Sequence, residues 1–216
     1  RKGGFPMRNL VVAIGREFGS GGKEIGQKLA DRLNIKCYDS ELLSIAAKNS
    51  GFCEEILQEN DEKPTNSFLY SLVMDTYSFG YSSSGFTDMP MNHKIFLAQF
   101  DAIKKLASEG PCVMVGRCAD YALSEYKDCF SVFVHADIDW RINRLSQKHN
   151  KTAKEAKDMI NKTDKSRSSY YNYYTNKKWG AASSYNLCVD SSKLGIDGAA
   201  KAIIQAIEIF DSIKNK

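Results

Sequence analysis

Near its N-terminus the chain runs Leu10-Val11-Val12-Ala13-Ile14, breaks at Gly15, passes through Gly19-Ser20-Gly21-Gly22-Lys23, and continues with Ile25, Leu29 and Leu33 at helical spacing. An apolar run this short, without alternation, predicts a strand buried on both faces. A doubly buried strand that feeds through glycines into a helix restricts the chain to a layered α/β architecture with a parallel sheet. The same junction is a recipe for phosphate binding. Backbone N–H groups of the loop and of the first helical turn point at one concave spot, the helix dipole adds partial positive charge, and Lys23 adds a full one.

The spacing departs from the usual phosphate loop, G-x-x-x-x-G-K-[ST]. Five residues before Gly22 stands Glu17, with Gly15 two residues further out, and Glu24 replaces the hydroxyl residue that normally meets magnesium. Ser20, Glu24 and water remain as alternatives for the metal contact. The competing dinucleotide fingerprint G-x-G-x-x-G would need glycines at 19, 21 and 24, and residue 24 is Glu, although Asp39 lies about where a ribose-binding acid belongs. Lys23 has no role in that site, and a glycine loop without a ligand is the remaining alternative.

Further along, strand and helix patterns alternate. Ile35 to Tyr38 predicts a second strand, with Asp39 and Ser40 placed to cap a helix carrying Leu42, Leu43, Ile45 and Ala46. From Gly51 to His93 the periodicity dissolves into acidic, then Ser- and Tyr-rich sequence, which predicts an insert with short helices at 53–58 and 68–75 and a tip around Tyr77 to Phe86. Order resumes with a helix over 94–108, strands over 112–115 and 130–134, a helix through Trp140 and Leu145, a polar helix from Thr152 to about Trp179, a strand over 187–190 and a closing helix over 196–213.

At 216 residues there is room for one such domain with movable inserts. The net charge of +4 is too mild to indicate a nucleic-acid binder, although lysines and arginines gather between Arg141 and Lys178. The six cysteines form no C-x-x-C pair and several lie in apolar runs, as reduced core thiols do. No stretch approaches the ~20 apolar residues of a membrane span. A cytoplasmic protein is therefore expected, with residues 1–6 an N-terminal extension or an expression remnant.

The stretch from Ile14-Gly15-Arg16-Glu17-Phe18 through Lys23-Glu24-Ile25-Gly26, followed by Cys37-Tyr38-Asp39, resembles the opening of cytidylate-kinase-like proteins. Three later segments, in the family's order, are similar as well: Val115-Gly116-Arg117, with Cys118 in place of the family's Asp; Asp164-Lys165-Ser166-Arg167 with Tyr170-Tyr171, like the family's lid; and Val189-Asp190-Ser191-Ser192. The resemblance implies a P-loop kinase three-layer α/β sandwich with a five-stranded parallel sheet. It implies a single domain over 7–216, with a helical lid at about 148–180 and an acceptor-binding insert at about 51–93. The implied activity is ATP- and Mg2+-dependent phosphoryl transfer to a small phosphorylated acceptor, a nucleoside monophosphate such as CMP. Small-molecule nucleotides, not nucleic acid or membrane, are then the partners.

Transfer between two phosphates needs alignment and charge neutralisation rather than a general base, which suits a chain with only three histidines. Gly19, Ser20, Gly21, Gly22, Lys23 and Glu24 are the expected ATP-binding residues, with Lys23 on the donor's terminal phosphates. Arg167 is the candidate for spreading transition-state charge, and the resemblance ranks Arg144 above Arg141 as a further phosphate ligand. Arg117 and Asp39, each at a strand's carboxyl end, are candidates for the acceptor. Asp39 has the alternatives of capping its helix or holding water on magnesium. Tyr170, Tyr171, Tyr173, Tyr174 and Trp179 are read as lid packing rather than a base-stacking surface. A nucleotide-binding module without transfer chemistry and a kinase for another metabolite are the other functional readings.

Overall fold

A computed structural model of the chain describes residues 9–51, 54–59, 61–62 and 91–214. In chain order these form β1 (Val11–Arg16), α1 (Gly22–Leu33), β2 (Lys36–Tyr38), α2 (Glu41–Ser50), α3 (Glu54–Glu59), α4 (Met91–Glu109), β3 (Cys112–Val115), α5 (Ala119–Ala122), β4 (Cys129–His135), α6 (Ile138–His149), α7 (Ala153–Thr175), β5 (Leu187–Asp190) and α8 (Ser191–Lys214). The expected helix over 68–75, the tip around Tyr77 to Phe86 and residues 1–6 lie outside the described residues.

The strands form one five-stranded sheet in the order β2-β3-β1-β4-β5, and each pairing is parallel. Side chains alternate across it. Val11 and Ala13 of β1, with Cys112 and Met114 of β3, face Leu42, Ala46, Ile103 and Leu106 of α2 and α4. Val12 and Ile14, with Val113 and Val115, face Ile25 and Leu29 of α1 and Ile203 and Ile207 of α8. Two apolar layers therefore sandwich the sheet, which is why its central strands read as unbroken apolar runs. Each fully buried aliphatic side chain contributes about 2 kcal/mol. Gly26 lets α1 approach this closely, because a Cβ there would lie 3.0 Å from Val115 Cγ2.

The helix ends follow local chemistry. The Thr152 side chain accepts from Glu155 N while the Glu155 carboxylate accepts from Thr152 N, a full capping box that starts α7. That helix ends at Thr175, earlier than the periodicity suggests, where Asn176 adopts φ 54°. The closing helix begins at Ser191 but is broken at Gly195 (φ 66°), so its regular part starts where the apolar period does. Ser40 precedes α2 without a side-chain cap bond, and the Asp39 carboxylate is engaged elsewhere, so the expected capping role of both is corrected.

Half of α7 belongs to a third apolar cluster. Tyr170, Tyr171 and Tyr174 are buried with Phe96, Cys118, Phe133 and Tyr185, and Tyr174 stacks on Phe96 at 4.0 Å. The tyrosines thus pack the helix onto the domain. The other half of α7 buries Ala156 and Ile160 against Leu145 of α6, with Phe18 of the glycine loop alongside. One helix therefore spans from the core to the loop. Cys37, Cys112, Cys118, Cys129 and Cys188 are not bridged in disulfides, in keeping with the reduced state read from the sequence.

The chain leaves β1 for α1 on one face of the sheet and neighbouring β3 for α5 on the other, and this switch point opens a crevice above β1 and β3. Phe133 is the buried residue of β4 that meets Trp179 and Tyr185 at 5.2 and 4.9 Å. Phe133→Ala is expected to cost about 3–5 kcal/mol, read as a lower urea midpoint at unchanged slope.

Candidate active site

The glycine loop leaves β1 at Arg16 and enters α1 at Gly22. Gly19 and Gly21 take φ 83° and 81°, conformations that cost a residue with a Cβ. Space is short as well. A Cβ on Gly21 would collide with Ile196 Cδ1 of α8, and one on Gly22 would lie 2.5 Å from Arg16 Cβ. Ser20 is fully buried; its hydroxyl donates to Glu17 O at 2.9 Å, and Ser191 Oγ donates to Ser20 O at 2.7 Å. Ser20 is thus a latch inside the loop, with its hydroxyl turned away from the cleft surface. The first intrahelical bond runs from Ile25 N to Gly21 O, so the N–H groups of Gly22, Lys23 and Glu24 have no partner within the helix. Lys23 projects beside them with 70 % of its side chain exposed, 2.8 Å from Asp39 Oδ2.

The turn before the glycines is braced from the lid side. Asp164 of α7 accepts from Phe18 N at 2.7 Å and from Arg141 Nη1 at 2.6 Å. Arg141 also donates to Phe18 O, and Glu17 accepts from Ala136 N at 3.0 Å. Arg141 is buried, not on a solvated helix face. Arg144, one turn on, reaches the cleft and pairs with Glu24, as does Lys148 at 3.3 Å. Burial would raise the Glu24 carboxyl, but Arg144 and Lys148 hold it below its ordinary range.

Opposite the loop stands a cluster of arginines. Arg16, Arg117 and Arg167 keep only 10, 3 and 15 % of their side chains exposed. Glu62 accepts from Arg16 Nη1 at 2.6 Å, from Arg167 Nε at 2.9 Å and from Arg117 N at 3.0 Å. Arg117 forks onto Asp61 through Nε at 2.9 Å and Nη2 at 2.7 Å, and its Nη1 lies 3.5 Å from Asp39 Oδ1. Gly116 makes this possible, since at its φ of 83° a Cβ would overlap Arg16 Nη1 and lie 2.5 Å from Glu62 Oε1. Burial and the neighbouring Arg16 charge pull Arg167 below the usual arginine range, against the support of Glu62. For Asp39, burial is outweighed by Lys23 and Arg117, and its carboxyl is lowered.

The expected site residues therefore fall into one cleft of about 360 Å³ lined by Gly19, Gly21, Gly22, Lys23, Glu24, Asp39, Arg117, Arg144 and Arg167. Ser20 lies beneath it. Arg117 reaches the crevice as expected but presents a guanidinium already enclosed by carboxylates, and Arg167 is largely buried. The sequence does not mark Arg16, Glu17, Asp61, Glu62 or Asp164 as site residues, and it ranks Arg141 below Arg144. Arg16 had one usable signal: it directly follows the glycine that ends β1, so it had to emerge at the crevice. Asp164 had the resemblance of its segment to the family's lid, whereas Asp61 and Glu62 had no signal, because they meet their partners across a long stretch of chain.

A strand–glycine loop–helix unit at the switch point of a parallel sheet, closed over by a helical hairpin, defines the P-loop kinase class of fold. The model of the cytidylate kinase-like family matches residues 11–193, and the chain belongs to that family. Among solved structures it is similar to an uncharacterized protein from Eubacterium ventriosum ATCC 27560, with 29 % identity and a TM-score of 0.68 over 92 % of this chain and 98 % of that one. It is similar in fold to shikimate kinase from Bacteroides thetaiotaomicron, with 12 % identity and a TM-score of 0.50 over 92 % of this chain and 98 % of that one. No curated protein matches it significantly. No helix among the described residues is long and apolar enough to cross a membrane.

Glu62 gives the site a pH signature. Burial would raise its carboxyl, but Arg16 and Arg167 hold it well below its ordinary 4.5. A depressed folded-state pKa stabilises above the unfolded value and is lost as pH falls through the folded one. Asp61 is shifted the other way by burial and by the Glu62 charge, despite Arg117, so the Glu62 contribution must be isolated by substitution. The stability difference between wild type and Glu62→Gln is expected to be full at neutral pH and to shrink progressively below pH 4.5; urea titrations at stepped pH measure it.

Proposed function

We propose that the chain is an ATP-dependent phosphotransferase acting on a small phosphorylated acceptor, with a nucleoside monophosphate such as CMP the first candidate. The observation that carries this reading is the placement of Lys23, exposed at the head of α1 beside unpartnered helix amides, in the same cleft as three arginines and Arg144. Donor phosphates fit the amides of Gly22, Lys23 and Glu24, where the helix dipole and Lys23 favour negative charge. Arg144, from α6, and Arg167, from the lid at about 148–180, neutralise charge on the transferring group. Arg117 and Asp39 face the acceptor side, toward the insert at about 51–93. Since the acceptor is itself an anion, these residues hold and orient it and remove no proton.

The donor set for magnesium is thinner. Among the described residues no cluster of three His, Cys, Asp or Glu is placed to hold an ion, Ser20 is turned inward, and Glu24 is paired with Arg144. This suits a cation carried mainly by phosphate oxygens and water, with Asp39, which lines the cleft beside Lys23, holding one of its waters. Bound there, the ion would supply positive charge against the donor's phosphates.

A second reading is favoured by one observation: the cleft's cations are already matched with internal carboxylates. In that reading the chain binds nucleotide for regulation and transfers nothing. Incubation with ATP, magnesium and a panel of nucleoside monophosphates separates the two. ADP release with at least one acceptor is expected, and none with any nucleotide would overturn the kinase reading. Lys23→Ala is expected to lower turnover about a hundredfold or more at nearly unchanged stability, because the lysine is mostly exposed and Asp39 keeps Arg117 beside it. Arg167→Ala is expected to lower turnover similarly and also to cost about 2 kcal/mol or more, because Glu62 loses a buried partner. Wild-type rates in either variant would remove these residues from the site.

A further inference from the structure

The arginine end of the cleft holds more positive charge than the fold requires. Arg16 arrives from the end of β1, Arg117 from the turn after β3 and Arg167 from α7, and all three guanidinium groups are withdrawn from water. None supports the sheet, whose two faces are filled by aliphatic side chains. The backbone at Gly116, Arg117 and Cys118 takes φ 83°, 54° and 53° in succession. Left-handed conformations at two consecutive non-glycine residues are strained, and such strain collects at ligand sites. Here it aims both the N–H and the guanidinium of Arg117 into the cleft.

What the arginines hold is a pair of adjacent carboxylates. Glu62 receives Arg16, Arg167 and the Arg117 N–H, and Asp61 receives both teeth of the Arg117 fork, all at 2.6 to 3.0 Å. Two neighbouring negative groups receiving several charge-assisted donors within one small volume reproduce the charge and the acceptor-oxygen arrangement of a phosphate dianion. A tie meant only to fasten the insert to the domain needs one ion pair at the rim, not three buried guanidiniums.

We propose that Asp61 and Glu62 stand in for the phosphate of the acceptor: Arg16, Arg117 and Arg167 form a second anion site, distinct from the glycine loop, that takes a phosphate monoester dianion when the two carboxylates withdraw. The proposal rests on the phosphotransferase reading above for the identity of its ligand, and it adds Arg16 as an acceptor-binding residue. Binding at this site is an exchange of one anion for another. The apparent affinity for acceptor is then reduced by the fraction of molecules in which the internal pair occupies the arginines, and weakening that pair tightens binding.

The test uses the whole chain without nucleotide, with inorganic phosphate as the probe in calorimetric titrations. Glu62→Gln and Asp61→Asn are each expected to bind phosphate about tenfold more tightly than wild type, as the loss of a charged hydrogen-bonded competitor implies. Adding Arg16→Gln should abolish that gain, whereas adding Lys23→Ala should preserve it. Circular dichroism confirms folding of each variant, and Asp61→Asn carries the test alone if Glu62→Gln does not fold. Unchanged or weaker phosphate affinity in a folded variant would show that the acidic pair is only a fastening. A gain lost with Lys23→Ala and kept with Arg16→Gln would place the anion in the glycine loop; either result overturns the proposal. Tightening without turnover on any acceptor would leave the anion site standing and remove the kinase reading. Turnover without tightening would do the reverse.

Discussion

Everything at the carboxyl end of the sheet depends on how closely the glycine loop is pressed between its neighbours. Gly21 and Gly22 have no room for a Cβ against Ile196 and Arg16, and Ser191 shares its one hydroxyl proton between Ser20 O and His135 O, fixing the loop to the ends of β4 and β5. That contact sets where α1 starts, and hence where its unpartnered amides and Lys23 point. It also sets the position of Arg16, whose side chain leaves β1 under the loop and crosses above Gly116. A shift of the loop would move the phosphate end and the arginine end of the cleft together.

The second constraint is electrostatic. A guanidinium or carboxylate taken out of water costs several kcal/mol unless it is paired, and this cleft withdraws several. Each is answered locally: Glu62 lies between Arg16 and Arg167, Asp61 is held in the Arg117 fork, and Asp164 lies between Arg141 and the Phe18 amide. The last arrangement matters for the lid. Because Asp164 sits on α7 and accepts from the loop's own backbone, α7 and the glycine loop are joined by a part-buried hydrogen bond rather than by surface contact alone.

Sequence and structure agree where burial writes a local period. The strands at 11–16, 112–115 and 187–190 are legible because a parallel sheet covered on both faces demands continuous apolar runs, and the glycine loop is legible because only glycine tolerates its torsions and contacts. The packing of Tyr170, Tyr171 and Tyr174 follows from their helical spacing. Legibility fails where a residue's role depends on partners far away in the chain. Arg141 and Arg144 sit three residues apart on one helix, and nothing local says that the first is buried against Asp164 and the second faces Glu24. Ser20 looks like a metal ligand by composition, yet it is turned inward by a carbonyl three residues earlier. Asp61 and Glu62 are two unremarked acids in an acidic stretch until the fold brings three arginines to them.

The two ends of the cleft also differ in what a ligand must do to enter. Lys23 and Asp39 form a pair whose lysine is mostly exposed; water can take the place of Asp39 on the lysine, so an anion gains Lys23 at little cost. The guanidiniums of Arg16, Arg117 and Arg167 have no such freedom. With 15 % or less of each side chain open to solvent, an arginine that releases its carboxylate without receiving another anion carries the full penalty of a buried unpaired charge. Entry at the glycine loop is therefore addition, and entry at the arginines is substitution. A cleft built this way admits the first anion readily and accepts a second only if that anion matches the donors that Asp61 and Glu62 already satisfy.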